Sequence, residues 1–306
     1  MNRLLYTLGG IFAVLTWAAS YSVGRSLIAK VGFYTALSGV HLLAGIIVAL
    51  AIFLTRARDG QFSLGRFSLR HTLTCGTFCV AYIIVFYAAI HAVARHSQVI
   101  EVSLIVKLWS ALTLIFSLFI LKNRARPALL AFGTGLSLTG VFLAVMIQNH
   151  LPFSLAPILE NIRESYLPYL LAALAALLWP LYSNFSRLFV RDANPYSIAI
   201  FVTAAGVCFL VARLFVNETS HWNTEAVLEF LYMAIFPAGL AYLLWARAME
   251  KGSIVAVVAF SYLSPLFSSM ISALYLRFPI ELAFWPACLM VIAGAWLSKM
   301  AVQERS

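Results

Sequence analysis

Long apolar runs, each about the length of a bilayer crossing, follow one another along the chain with short polar breaks between them. Ten are marked off, at 4–23, 33–54, 72–92, 98–121, 128–147, 167–189, 196–216, 227–248, 254–275 and 282–299. A helix needs about 20 residues to cross the hydrocarbon core. The runs do not alternate polar and apolar positions as barrel strands do, so the pattern predicts an all-α membrane protein with ten transmembrane helices. Ser38 and His41 interrupt the second run, yet its length still fits a crossing. The connections are short. The longest, 55–71 (rich in Arg) and 148–166 (with Pro152 and Pro157), leave no room for a separate soluble domain. Ala18-Ala19-Ser20 near the end of the first run resembles a signal-peptide cleavage site, but a matching copy of this run later in the chain argues that it is retained.

Composition narrows the class. Of the 306 residues, 63 % are hydrophobic and 10 % charged, and mean hydropathy is +0.93. A soluble domain carries about 25 % charged residues. The balance excludes a water-soluble enzyme and a disordered chain. Cys75, Cys79, Cys208 and Cys288 all lie within apolar runs, which points to helix packing and not to disulfides or zinc. With the N-terminus inside, 14 of the 21 Lys and Arg fall on the inner side, six on the outer side, and Lys107 within a run. By the positive-inside rule both termini are cytoplasmic. The net charge of +10 then reflects basic loops beside an anionic leaflet, without nucleic acid.

The chain also repeats itself. At an offset of 162, Ala13, Leu15, Trp17 and Arg25 fall on Ala175, Leu177, Trp179 and Arg187. At 155, Val102 and Leu108 fall on Val257 and Leu263, which places Lys107 on Tyr262; at 154, Gly140 falls on Gly294. The expected organisation is two repeats of five helices, 1–150 and 151–306. Five is odd, so the second is inverted. Inverted repeats are the signature of secondary transporters, whose substrate site lies near the midplane.

Polar and aromatic residues at mid-depth locate that site. Trp109 stands eleven residues from the outer end of its run, roughly 16 Å deep at 1.5 Å per residue. Tyr82, Lys107, Trp179 and Tyr262 reach similar depths. Lipid-facing Trp and Tyr belong at the interfaces, whereas buried ones need partners for their N–H and O–H groups. A hydrated aromatic cavity would supply them. Tyr82 and Phe86 continue a helical stripe with Cys75 and Cys79. Trp17 shares a face with Tyr21, Trp179 with Tyr182, and Tyr242 with Trp245. Trp245 is equally consistent with an inner gate or an interfacial belt. Pro180, Pro237 and Pro265 each remove a helical hydrogen bond and allow a kink. A cation at the bilayer centre costs between about 2.5 and well over 10 kcal/mol, so Lys107 should face a cavity and either meet a substrate carboxylate or lose its proton on dehydration; snorkelling is the plain alternative, but its stem is short for this depth. Glu101 lies six residues away on another face and close to the outer end, too far to pair with it. Glu101, His41, Tyr242 and Trp245 are candidates for a gate or coupling role, with packing the simpler role for His41. No metal-ligand spacing, catalytic motif or phosphate-binding Gly loop is present, so no cofactor, metal site or enzyme activity is expected.

Two stretches carry a resemblance. Ala94-Arg95-His96-Ser97-Gln98-Val99-Ile100-Glu101-Val102, leading to Leu108-Trp109, and Phe260-Ser261-Tyr262-Leu263-Ser264-Pro265 resemble the third-to-fourth and ninth helix regions of the YddG aromatic amino-acid exporters. These are EamA-type members of the drug/metabolite transporter superfamily. In topology the resemblance covers nearly the whole chain. It implies an inner-membrane exporter of amino acids with a central cavity lined by Trp17, Tyr82, Trp109, Trp179 and Tyr262. This chain has Lys107-Leu108-Trp109 where the family reads Tyr-Leu-Trp, and Ile83 where some relatives carry His, which points toward a more anionic substrate. The expectation is a secondary transporter of amino acids or related small carboxylates, working by alternating access. Efflux of organic cations, with Glu101 as counter-charge, is the alternative within transport. A membrane-embedded enzyme or a receptor is the alternative outside it.

Overall fold

The computed structural model describes residues 2–58, 60, 67–93, 96–148, 156–264, 266–267, 270 and 282–304. The described residues are almost wholly helical: α1 (Asn2–Val31), α2 (Phe33–Arg58), α3 (Leu69–His91), α4 (His96–Lys107), α5 (Trp109–Ile120), α6 (Pro127–Gln148), α7 (Ala156–Glu164), α8 (Leu167–Leu188), α9 (Ser197–Arg213), α10 (Thr224–Ile235), α11 (Ala241–Lys251), α12 (Ile254–Ser261) and α13 (Phe284–Ala301). Two short strands, β1 (Arg124–Ala125) and β2 (Val302–Gln303), pair antiparallel.

Six helical stretches are long and apolar enough to cross a membrane: α2, α3, α6, α8, the continuous α10–α11 stretch and α13. A seventh follows if the two parts of α1, Arg3–Ala18 and Val23–Val31, bent by 51°, form one crossing. Leu104–Ile120 and Ser197–Arg213 are shorter apolar helices. Leu50, Phe119, Phe132, Leu170, Leu289 and Trp296 lie exposed on helix surfaces. Such a density of exposed apolar side chains suits lipid and not water.

The chain divides into two compact units, Met1–Ile84 with Phe185–Gly252, and Val85–Asn184 with Ser253–Ser306. Neither coincides with a sequence half; each takes pieces from both. In the first unit α2 packs on α9 and α1 on α11. Small residues bring α2 and α9 together: a Cβ on Gly206 would sit 2.8 Å from the Leu42 backbone nitrogen. Gly32, at φ +92°, separates α1 from α2. The first N–H groups of α2 are then capped from afar, because Glu218 accepts from the backbones of Tyr34 at 2.8 Å and Thr35 at 2.9 Å. A carboxylate is favoured there by the helix dipole.

In the second unit α6 and α13 form the most intimate pair. A Cβ on Gly294 would lie 2.5 Å from Gly133 O and 2.5 Å from Ser137 N. The C-terminal segment continues from α13 as a strap. Its β2 pairs with β1, and Glu304 accepts from Ser253 Oγ at 2.7 Å and Val255 N at 2.9 Å. Ser253 itself caps α12 by accepting from Ala256 N at 3.2 Å.

Candidate functional site

The expected helices at 98–121 and 254–275 are each interrupted only by one tightened turn, with the backbone of Leu108 and Tyr262 still right-handed helical. α4 ends at Lys107 and α5 starts at Trp109; Leu108 between them bonds back three residues, its N–H to Ile105 O at 3.1 Å. α12 ends at Ser261, after which Tyr262 N–H reaches Ala259 O at 3.3 Å and Leu263 N–H reaches Phe260 O at 2.9 Å. Each break is a turn tightened to the three-residue spacing. Leu108 and Leu263 are the pair that the 155-residue offset superimposes, so the two helices tighten at the same register.

Side chains tie the two breaks together within the second unit. Lys107 Nζ donates to Ser264 Oγ at 3.3 Å. Ser110 and Ser261 are joined through their hydroxyls at 2.7 Å. Ser261 donates onward to Val258 O at 2.6 Å, so Ser110 is the donor of the pair. Lys107 is half-buried, while Ser264 and Tyr262 are buried.

The aromatic residues expected here are found beside these breaks. Trp109, at the first position of α5, meets Trp179 edge-on with ring centroids 6.3 Å apart, and Trp179 meets Tyr182 at 5.2 Å. All three are buried. Asn184 holds α8 to α5, donating to Thr113 O at 3.1 Å and to Pro180 O at 2.9 Å. α8 runs through Pro180 without a break.

In the first unit Trp17 joins the two residues assigned on sequence to a gate. Its ring lies 5.4 Å from that of Tyr242 and 5.5 Å from that of Trp245. Its Nε1 donates to Pro237 O at 2.9 Å. Pro237 sits in a single π turn, Phe236–Leu240, closed by the Ala241 N–H on Phe236 O. The proline lacks an N–H and its ring crowds the preceding turn, so the helix widens there. Trp245 is fully buried within this cluster. Tyr82 and Phe86 are half-buried on α3, Phe86 stacking edge-on against Tyr87 at 5.1 Å, and Cys75 and Cys79 of the same stripe are buried. His41 is buried on α2, donating Nδ1–H to Leu37 O at 2.8 Å. The Tyr21 side chain and Pro265 lie outside the described residues.

Glu101 differs most from expectation. Its place near the outer end of its run suggests water, but it is 5 % exposed. Asn161 Nδ2 donates to one carboxylate oxygen at 2.9 Å, and the Tyr169 hydroxyl donates to the other. Asn161 lies on α7, inside the stretch 148–166 expected to be a connection, and Tyr169 opens α8. Sequence spacing alone could not have found them, being 60 and 68 residues away. Among the described residues no cluster of His, Cys, Asp and Glu could hold a metal ion.

Comparison with known proteins agrees in family and fold. The aromatic amino acid exporter YddG of Escherichia coli (strain K12) is 27 % identical over 304 residues, spanning 99 % of this chain and 100 % of that protein. The protein of that name from Salmonella typhimurium (strain 14028s) is 26 % identical over 299 residues, 98 % of each chain. The one from Ancylobacter novellus is 28 % identical over 207 residues, 67 % of this chain and 68 % of that protein. A solved crystal structure superposes with a TM-score of 0.80 at 23 % identity, covering 98 % of both chains, which shows the fold alone. Residues 4–146 and 167–300 match the EamA-like transporter family, once on each side of the chain's midpoint. These matches point to a transporter and not to an enzyme, and the chain belongs to the EamA-like transporter family.

Proposed function

We propose that this chain is a secondary transporter of the inner membrane that exports amino acids, aromatic ones foremost. The observation that carries the reading is Lys107 at the α4–α5 turn, bonded to Ser264 and two residues before Trp109 of the Trp109–Trp179–Tyr182 cluster. An aromatic amino acid has a flat apolar body and a carboxylate. The cluster offers ring faces and edges for the first. Lys107 offers a charge-assisted bond for the second, with Ser264 as the group the substrate would displace. The printed names of the relatives, aromatic amino acid exporters, support the same substrate class.

Residues 1–150 and 151–306 are assigned as inverted repeats of five crossings each, with both termini cytoplasmic and access alternating between the two sides. Trp109, Trp179, Tyr182, Tyr262 and Lys107 are assigned to substrate, with Tyr82 and Phe86 as further contacts. Trp17, Tyr242 and Trp245 are assigned to a gate, where the π turn at Pro237 gives the helix a place to flex. The test is counterflow in proteoliposomes against a panel of aromatic amino acids, aliphatic amino acids and organic cations. Aromatic amino acids should exchange fastest. Preference for organic cations would replace this reading with drug efflux, and no exchange of any amino acid would refute it.

A further inference from the structure

Ionisable side chains are scarce in the apolar runs of this chain, and Glu101 is the one carboxylate that the sequence places inside a span and the structure buries. Burying a charge is costly, and an acid kept within a membrane span is a functional residue by default. Its surroundings are specific. On its own helix the titratable groups are His96, five residues back and about 7.5 Å by helical rise, and Lys107, six residues along and about 9 Å. From α7 it meets the neutral Asn161, while Glu160, Arg163 and Glu164 on that helix are exposed. From α8 it meets Tyr169, which also hydrogen-bonds Gln98. α6, which packs on α4, carries no ionisable residue.

Both partners of Glu101 can serve either protonation state. An ionised carboxylate only accepts, and here it accepts from the Asn161 amide and the Tyr169 hydroxyl. A protonated one must donate once, and rotation of the Asn161 amide presents its oxygen for that bond while Tyr169 keeps its own. An arginine or lysine partner would instead lock the acid in the charged form. The same three residues join α4, which carries Lys107, to α8, which carries Trp179 and Tyr182, and to α7. On the orientation from the charge count all three lie toward the outer side.

We propose that Glu101, with Asn161 and Tyr169, is a proton-binding site that couples substrate export to the proton gradient. The proposal rests on the transporter reading and adds to it the coupling ion. A proton from the outer water binds a carboxylate oxygen, the site loses one negative charge, the Asn161 bond reverses, and the tie between α4 and α7 changes strength. No other reactant is required.

Two measurements test it, and the first needs no transport. Infrared difference spectra of the reconstituted protein are recorded on acidification from about pH 8 to about pH 3, a range that covers carboxyl titrations in folded proteins. A carboxylic-acid carbonyl band should grow, Glu101→Gln should remove one component of it, and Glu101→Asp should restore one at a shifted position. If the Glu101→Gln preparation is not monodisperse, the comparison of parent with Glu101→Asp carries the result. Identical parent and variant spectra overturn the proposal, whatever the substrate proves to be. In the second, counterflow is measured across the same range. The parent rate should vary with pH and the Glu101→Gln rate should not. A variant slowed by the same factor at every pH makes Glu101 a structural tie and also overturns the proposal. Absence of amino-acid counterflow in the parent, with the infrared component present, would instead sink the substrate reading and leave the proton site standing.

Discussion

A methyl group added at Gly294 would test the packing that positions the candidate site. Its Cβ would lie 2.5 Å from Gly133 O, Ser137 N and Ser137 Oγ. Two of these are backbone atoms on α6 and cannot rotate away. Ordinary contact begins at 3.4 Å, so α6 and α13 must part by about 0.9 Å at the crossing. A gap of that size forfeits a quarter to a half of each neighbouring van der Waals contact, and overpacking a tight core costs about 1–3 kcal/mol. With backbone on both sides of the clash, the cost for Gly294→Ala should fall near the top, about 3 kcal/mol. Gly135, half a turn from Gly133 and Ser137 and on the exposed face of α6, is the control, because a Cβ there meets nothing within 4 Å. Gly135→Ala should stabilise by about 0.5–1 kcal/mol through backbone entropy. Thermal unfolding in detergent, followed by intrinsic fluorescence, reads both. The opposite signs are the signature. A Gly294→Ala protein as stable as the parent would refute the packing argument.

Three further outcomes follow. Glu218 is pushed up by its burial, but the Tyr34 and Thr35 N–H groups, the Thr35 hydroxyl and Arg213 together hold it below the ordinary 4.5. Its stabilisation is therefore present above pH 4.5 and lost as the pH falls through the depressed value, so the unfolding temperature of the parent should drop there and that of Glu218→Gln should not follow. Trp17→Phe keeps the ring but loses the bond to Pro237 O, and should cost about 1 kcal/mol in the same unfolding assay while changing turnover more than substrate affinity; an unchanged turnover would remove Trp17 from the gate. Reporter fusions at the C-terminus and in the 148–166 connection should report cytoplasm and outside respectively, and the reverse would overturn the orientation drawn from the charge count.

Much of this was legible in the chain because the bilayer imposes simple rules. Long apolar runs mark helices, and a Trp or a Lys at mid-depth is anomalous wherever it occurs. Trp109 and Trp179 stand out on that basis, Tyr182 shares a helical face with Trp179, and the three cluster. What the sequence concealed was non-local or lacked a local breaker. No Gly or Pro lies between Ile105 and Ser110, so the tightening at Leu108 has no sequence signal, although its repeat mate at Leu263 becomes evident once one break is known. Pro237 announces a distortion but not that the helix widens to a π turn, nor that Trp17 caps it. Glu101 looked solvated because depth along a helix says nothing about a neighbouring segment folding over it. Asn161 supplies that cover from α7, nine residues inside an apparent connection whose apolar positions Ile158, Leu159 and Ile162 recur at helical spacing.

The central claim is that Lys107 reads a carboxylate while the neighbouring rings read an aromatic body. Counterflow of labelled phenylalanine, competed by 3-phenylpropionate and by phenylethylamine, tests it most directly. The first competitor keeps the carboxylate and loses the amine; the second does the reverse. The account predicts that 3-phenylpropionate competes and phenylethylamine does not, and that Lys107→Met weakens the acid's competition by about tenfold or more, the worth of one charge-assisted hydrogen bond of 1.5–3 kcal/mol. Equal competition by phenylethylamine, or a Lys107→Met protein that discriminates as the parent does, would contradict it.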